Sequence, residues 1–265
     1  GYDGHGAMLA QWERIKAIPQ GVRDLTAAAV GGLQVERLAA RIGEGADTVL
    51  GNLITPRIGR LARAGARVGV HTIGELYDTA LANFSDAELR ALTGGAPHRR
   101  ETADRYAGIA GEQLCLWDLH NYLPGDVLVK VDRATMAVSI EGREPLIDHR
   151  LAEFAFSLPF SLRRGSLGTK HLLKAVLYRH VPKALVDRPK RGFAVPIKHW
   201  LADSLQSLVD EHLSPDRLAR DGLFDPAMVA AYLRRLRAGD AGVRQRVWIL
   251  LAFQMWHSRW MSGQP

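Results

Sequence analysis

The stretch NYLPGDVLVKVDRATMAVSIEGREPLIDHRL, residues Asn121 to Leu151, sets the expected fold. Its Pro-Gly pair predicts the end of an amphipathic helix that spans Tyr106 to Leu123. A second helix is expected to begin at Asp126 and to continue to about Ile140. Apolar residues surround most of this second helix, which predicts that it is largely buried. They are Val127, Val129, Val131, Met136, Val138 and Ile140.

The segments on either side of this stretch also have helical patterns. Pro145 breaks the chain, and Asp148 is expected to cap a helix from His149 to Ser157. Upstream, Ser85 is expected to cap the segment DAELRAL. Later helices are predicted around His199 to His212, around Pro226 to Arg237 and in the C-terminal stretch VRQRVWILLAFQMWHSRWM, which is expected to dock through its aromatic side chains. No strand pattern is convincing, and the predicted fold class is predominantly α.

The composition is that of a soluble globular protein. The chain has 265 residues, of which 47% are apolar and 24% charged. Its longest apolar run, Val247 to Phe253, is too short to cross a bilayer, so no membrane association is expected. Cys115 is the single cysteine, which excludes an intrachain disulfide and favours the cytoplasm; its apolar neighbours predict an inert core thiol. The first residue is Gly1, so a piece of a longer protein is expected.

The net charge of +7 raises the question of a nucleic-acid partner. The basic residues are spread along the chain without a nucleic-acid-binding motif, and we therefore expect an anionic small molecule instead. Seven basic residues are Lys, and five of these fall between Lys170 and Lys198. Because Lys is a compact point charge often used against phosphate, this segment is a candidate phosphate-binding region.

Lys170 lies in the sequence GSLGTKHLLK, Gly165 to Lys174. Thr169 is expected to cap a helix whose first turn contains Lys170 and His171, where cations are unfavourable unless they face an anion. The lysine and the free N–H groups of a helix end could bind phosphate together. A second basic loop, which contains Lys190, strengthens this interpretation over that of an exposed surface lysine.

Lys130 and Arg133 share a face of the second helix with Ala134 and Ala137. The small neighbours leave room for a ligand, while an internal salt-bridge network is an equally good interpretation. For Glu141, Arg143 and Asp148 the internal salt-bridge network is the favoured interpretation. The ten His residues show no paired metal-ligand spacing, so no metal held by this chain alone is expected.

Four segments together resemble glutamine-hydrolysing asparagine synthetases. They are DLHNYLPGDVLVKVDRATMAVSIEGREPLIDHRLAEFAFSLP, GTKHLLK, RPKRGFAVPIKHWL and VWILLAFQMW. They occur in the order found in the C-terminal part of that family's synthetase domain. The resemblance implies that residues 1–265 are a partial synthetase domain, with a variable helical region at residues 1–100 and a family-matching helical region at residues 101–265.

The resemblance implies a fold and an activity. The fold is the helical C-terminal part of an α/β adenine-nucleotide hydrolase-like (ATP pyrophosphatase) domain. ATP adenylates the aspartate side chain, and ammonia from glutamine displaces AMP to give asparagine. Lys170 corresponds to the family's catalytic lysine, while Lys130, Arg133 and Lys190 are candidate ATP- and pyrophosphate-binding residues. Mg²⁺ accompanies the nucleotide, and the full protein is a candidate homodimer.

The family's SGGxDS loop and its glutaminase nucleophile are not in this sequence. ATP and Mg²⁺ are therefore expected to bind mainly to upstream segments, which are the implied partners, and this chain alone is expected to be inactive. Two alternatives remain. The acceptor could be a sugar carboxylate, as in related amidotransferases of surface-polysaccharide pathways, or the chain could be a non-catalytic helical interaction module.

Overall fold

The computed structural model describes residues 3–32, 67–95, 101–165, 167–187 and 195–261. Most of these residues are helical, which confirms the predominantly α prediction. The helices of the N-terminal half are Asp3–Lys16, Gln20–Gly32, Ile73–Leu81, Asp86–Thr93, Ala110–Trp117 and Leu128–Met136. Those that follow are His149–Ser157, Phe160–Arg163, His171–Leu177, Lys183–Val186, Ile197–Ala202, Gln206–His212, Pro215–Asp221, Pro226–Arg237 and Arg244–Trp260.

Three short 3₁₀ turns and one small hairpin are also present among the described residues. The turns are Ala103–Arg105, Pro145–Ile147 and Ala241–Val243. The hairpin pairs Arg164–Gly165 with Gly168–Thr169 in antiparallel register, Arg164 opposite Thr169. None of the helices in the described ranges has the length and apolar character that a bilayer crossing requires.

The helix around Pro124 departs from the sequence-based prediction. A π-helical segment, Asp118–Val127, joins the helices Ala110–Trp117 and Leu128–Met136 without an interruption, and it carries Pro124 inside. The predicted stop at the Pro-Gly pair is therefore wrong. A π segment has wider turns than an α-helix, and such a widened register tolerates a residue that would break regular α-helical hydrogen bonding.

Packing divides the chain into two compact units. The first contains Gly1–Pro19, Val70–Ala80 and Glu101–Arg191, and the second contains Gln20–Gly69, Leu81–Arg100 and Gly192–Pro265. The boundaries of these units differ from those of the regions 1–100 and 101–265, because the regions were defined by sequence resemblance and the units by packing.

The first unit has a small core where the Asp3–Lys16, Ile73–Leu81 and Ala110–Trp117 helices meet. Its buried residues are Trp12, Ile15, Val70, Ile73, Leu76, Tyr77, Ala103 and Leu114. The second unit has a larger core around the C-terminal helix. Its buried residues are Phe84, Leu92, Leu201, Val209, Leu213, Leu218, Val229, Tyr232, Leu233, Val243, Val247, Leu250 and Leu251.

The C-terminal helix docks mainly through aliphatic side chains. Val247, Leu250, Leu251 and Gln254 are buried, at helical spacing, whereas Phe253, Trp256 and Trp260 are exposed. The buried stripe of this helix is therefore mainly aliphatic. Its aromatic residues contribute in part, because Trp248 is partly buried against the core and Phe253 contacts Phe224 with the ring centroids 5.2 Å apart.

The apolar helix at the centre of the opening sequence is exposed. None of the residues of Leu128–Met136 is buried, and Val138 and Ile140, just beyond it, are 67% and 58% exposed. The prediction of a buried helix is wrong for this chain. An apolar circumference leads to burial only where another element covers it, and the described residues provide contacts mainly from the preceding π segment.

Candidate functional site: the Lys170 turn

Lys170 lies at the junction between the small hairpin and the His171–Leu177 helix. It is the N-cap residue of that helix and has φ 59° and ψ 33°, the left-handed conformation. The helix therefore begins one residue later than predicted, and Thr169 is not its cap. A left-handed conformation is uncommon for a residue with a Cβ, so the surrounding turn must hold it in place.

Side chains on the helix hold that turn. The Nδ1 of His171 accepts a hydrogen bond of 3.2 Å from the backbone N–H of Leu167. The amine of Lys174 donates to the carbonyl oxygen of Leu167 at 3.3 Å. A Cβ on Gly165 would approach the His171 ring to 2.8 Å, so this glycine allows the ring to lie against the hairpin. The sequence patterns did not single out His171 or Lys174 for this role, because the contacts depend on the hairpin geometry.

The Lys170 side chain is exposed, and it forms no hydrogen bond or ion pair with another described residue. Its amine is thus available to an anion. Lys174 differs, because its amine also lies 3.9 Å from the carboxylate of Asp187. Of the lysines on this helix and turn, Lys170 is the one without a partner in the described part of the chain.

Lys130 and Arg133 are both exposed on the Leu128–Met136 helix. The amine of Lys130 forms an ion pair of 3.1 Å with Asp126, one turn earlier. Arg133 has no side-chain partner among the described residues. No hydrogen bond or ion pair between described residues joins either side chain to Lys170. Lys190 lies outside the described residues.

Glu141, Arg143 and Asp148 form two separate surface pairs. Arg143 donates to Glu141 at 2.9 Å, and both side chains are exposed. The carboxylate of Asp148 accepts from the backbone N–H of Arg150 and from its guanidinium, each at 3.0 Å. The Arg150 side chain is the main reason that the pKa of Asp148 is lowered. The predicted cap at Asp148 is present at the start of His149–Ser157.

An open cavity of about 510 Å³ lies beside this cap. Its lining residues are Pro145, Asp148, Arg150, Leu151 and Phe154. The wall combines one ion pair with apolar side chains. Within the described ranges, no group of three or more His, Cys, Asp or Glu side chains is arranged to hold a metal ion.

The family comparison covers nearly the whole chain. The family model described as asparagine synthase matches residues 1–258. No solved structure matches this chain.

Individual relatives agree with the family match. A putative glutamine-hydrolysing asparagine synthetase of Mycobacterium tuberculosis is 35% identical over 72% of this chain and 30% of its own length. Asparagine synthetase [glutamine-hydrolyzing] 1 of Bacillus subtilis is 33% identical over 53% of this chain and 22% of its own length. The human asparagine synthetase is 33% identical over 36% of this chain.

The matched region thus spans less than a third of the length of these relatives. The match itself includes both the 101–165 range and the Lys170 turn. The chain belongs to the asparagine synthase family.

Proposed function

We propose that this chain is the helical C-terminal part of an ATP-dependent amidotransferase. The complete enzyme adenylates the side-chain carboxylate of aspartate and transfers ammonia from glutamine to form asparagine. Lys170 stabilises the negative charge that develops on the transferring phosphate and on pyrophosphate. The observation that carries the proposal is an exposed lysine without a partner among described residues, held in a fixed left-handed turn, in a chain of this family.

The chemistry of the available donors supports phosphate as the ligand. A lysine amine fixed near a site of developing charge stabilises a transition state without reorganising. The Arg133 side chain is also exposed and has no partner among the described residues, so Arg133 is the second candidate for binding phosphate. Lys130 would bind the phosphate only if the phosphate displaces Asp126 from its amine. Lys190 completes the proposed set, and its replacement is expected to raise the KM for ATP.

The exposed apolar face of the first unit supports a partner. Large apolar residues between Val129 and Leu185 are unusually exposed, and an extended apolar surface of this kind marks an interface. They are Val129, Met136, Val138, Ile140, Leu146, Ile147, Leu151, Phe154, Leu162, Leu172, Leu173, Val176, Leu177 and Leu185. In the proposed enzyme, upstream segments of the synthetase domain, including its parallel sheet, cover this face.

Mg²⁺ belongs to the upstream segments in this proposal. Magnesium binds oxygen ligands, chiefly carboxylates and substrate phosphates. The described residues offer no suitable cluster of carboxylates. In the complete enzyme the metal would neutralise charge on the phosphates, and Lys170 would add a further positive charge.

The test is the variant Lys170→Ala in the complete enzyme. Release of pyrophosphate from ATP in the presence of aspartate should fall at least about a hundredfold, as for loss of one preorganised charge donor. Glutamine hydrolysis should remain. Lys183→Ala is the matched control, because Lys183 is also an exposed lysine of this segment but already pairs with Asp187.

Two results would contradict the proposal. The first is near-normal pyrophosphate release by Lys170→Ala. The second is a complete enzyme that releases pyrophosphate with a sugar carboxylate and not with aspartate, which would favour the polysaccharide-pathway acceptor.

A further inference from the structure

A cluster of four reactive or titratable side chains lies in the first unit and shares no residue with the Lys170 turn. It consists of His5, Tyr77, Cys115 and Asp118. The Nε2 of His5 is 2.8 Å from a carboxylate oxygen of Asp118. The hydroxyl of Tyr77 donates to the other oxygen of Asp118 at 2.7 Å. On the opposite side of the ring, the Nδ1 of His5 is 3.8 Å from the sulfur of Cys115.

Asp118 holds the imidazole in position and favours its charged form. His5 is 3% exposed, and burial alone would lower its pKa. The hydrogen bonds to Asp118 and Cys115 and the charge of Asp118 outweigh burial, and they raise the pKa of His5 to about 9. At neutral pH the ring is therefore an imidazolium with an N–H on both nitrogens. One N–H is directed at Asp118, and the other faces the sulfur.

The other charged groups around the cluster leave this pairing in place. The guanidinium of Arg164 lies against Gly6, next to His5 in the chain. The carboxylate of Glu112, one helical turn before Cys115, is paired with Arg163 at 3.1 Å. A guanidinium thus lies beside the neighbour of His5 in the chain, and the carboxylate one turn before Cys115 has its own partner. The group that directly faces the sulfur is the His5 ring, and a histidine beside a cysteine is a common feature of reactive thiols.

The arrangement has the elements of an activated nucleophile: a sulfur, a histidine beside it and a carboxylate that orients the histidine. Cys115 is partly exposed, so small molecules in solvent can reach it. The prediction of an inert core thiol does not fit these contacts. Local sequence patterns do not predict these contacts, because His5 and Cys115 are 110 residues apart in the chain.

We propose that Cys115 is a modification site that reacts with peroxides. The sulfur of the thiolate attacks one oxygen of hydrogen peroxide, an S–O bond forms and the O–O bond breaks. Hydroxide leaves and is protonated by solvent. The sulfur is oxidised to a sulfenic acid, and the peroxide is reduced. This inference is independent of the proposed amidotransferase activity.

The first test uses the unmodified protein and iodoacetamide as the thiolate probe. Alkylation is followed on the tryptic peptide Tyr106–Lys130, which contains Cys115 and no other cysteine. In the urea-unfolded chain the rate should rise roughly twentyfold between about pH 7 and pH 9, as for an ordinary thiol. In the native protein the rise should be less than about threefold. An equally steep rise in the native protein would overturn the proposal.

The second test removes the imidazolium. His5→Gln and Asp118→Asn should each lower the native alkylation rate at neutral pH by about tenfold, and restore the steep pH dependence. The same variants should lose, to a similar extent, the dimedone label that peroxide treatment introduces on this peptide. His180→Gln is the control, since His180 is exposed and distant from Cys115 in sequence.

Circular dichroism establishes that the variants are folded. Peroxide labelling of folded His5→Gln at the rate of the unmodified protein would overturn the proposal. If neither variant folds, the pH profile of the unmodified protein decides the question by itself.

Discussion

The carboxylate of Glu88 accepts a hydrogen bond of 3.0 Å from the guanidinium of Arg246, 158 residues further along the chain. Both side chains are buried, with exposed fractions of 8% and 9%. Glu88 also receives a hydrogen bond from the Tyr232 hydroxyl at 3.4 Å, and it forms a capping box with Ser85. The Glu88 side chain thus caps the start of the helix Asp86–Thr93 and connects that helix to the core of the second unit.

Replacing Glu88 should strongly destabilise the second unit. Glu88→Gln removes the charge that compensates buried Arg246, which is expected to cost about 3–5 kcal/mol of unfolding free energy. Urea unfolding followed by circular dichroism measures the change. Glu13→Gln is the matched control, because Glu13 pairs with Lys16 on the surface and should cost less than about 1 kcal/mol. Equal costs for the two variants would contradict the assigned role.

The stabilisation from His5 should depend on pH. Its pKa is raised from 6.5 to about 9 in the folded state, so its contribution is complete below about pH 6.5 and disappears as the pH rises through about 9. The contribution is at most about 3 kcal/mol. The Tm difference between the unmodified protein and His5→Gln should therefore be largest near pH 6 and shrink steadily toward about pH 9.5. A difference that grows with pH would be inconsistent with this charge state.

Gly111 should not tolerate a methyl group. A Cβ at this position would lie 2.4 Å from the ring of Phe160. Gly111→Ala should therefore destabilise the first unit by about 1–3 kcal/mol, and Phe160→Leu in the same chain should restore part of the loss. Gly125→Ala is the control, since a Cβ there meets nothing within 4 Å. Thermal unfolding compares Gly111→Ala with Gly125→Ala. Similar Tm values for these two variants would show that Phe160 does not pack on Gly111.

Asp225 should contribute to the stability of the second unit only through its cap. Its carboxylate accepts from the backbone N–H of Met228 at 2.7 Å at the start of Pro226–Arg237. Asp225→Ala should cost about 1 kcal/mol of unfolding free energy, and Asp225→Ser should retain most of it because serine also caps. If alanine and serine have the same effect in urea unfolding, the cap is not the source of the stability.

The exposed apolar face should behave as an interface. The double variant Val138→Ser with Ile140→Ser should reduce the aggregation of this chain in light scattering, since two large exposed apolar residues are removed. In the complete enzyme the same variant should lower the Tm, because the face is covered there. Val22→Ser with Leu25→Ser is the control for exposed apolar residues of the second unit. An unchanged Tm of the complete enzyme would argue against a covering segment.

The sequence by itself determined the features that depend on near neighbours. The caps at Ser85 and Asp148, and the helix Pro226–Arg237, follow from contacts within a few residues, and the structure has them as predicted. The helical character and the family also follow from local patterns and ordered motifs. In each case the deciding interactions are close in the chain, so the pattern contains the necessary information.

The tertiary structure alone decided which surfaces are covered and which distant side chains meet. An apolar pattern predicted burial around Ile140, but that residue is exposed because no described element packs over it. The register of the helix past Pro124 and the pairing of Glu88 with Arg246 were likewise not encoded in local spacing. The contact between His5 and Cys115 also depends on tertiary packing and not on local spacing. Burial and long-range contacts depend on how whole helices pack, and periodicity along one helix does not specify its partner.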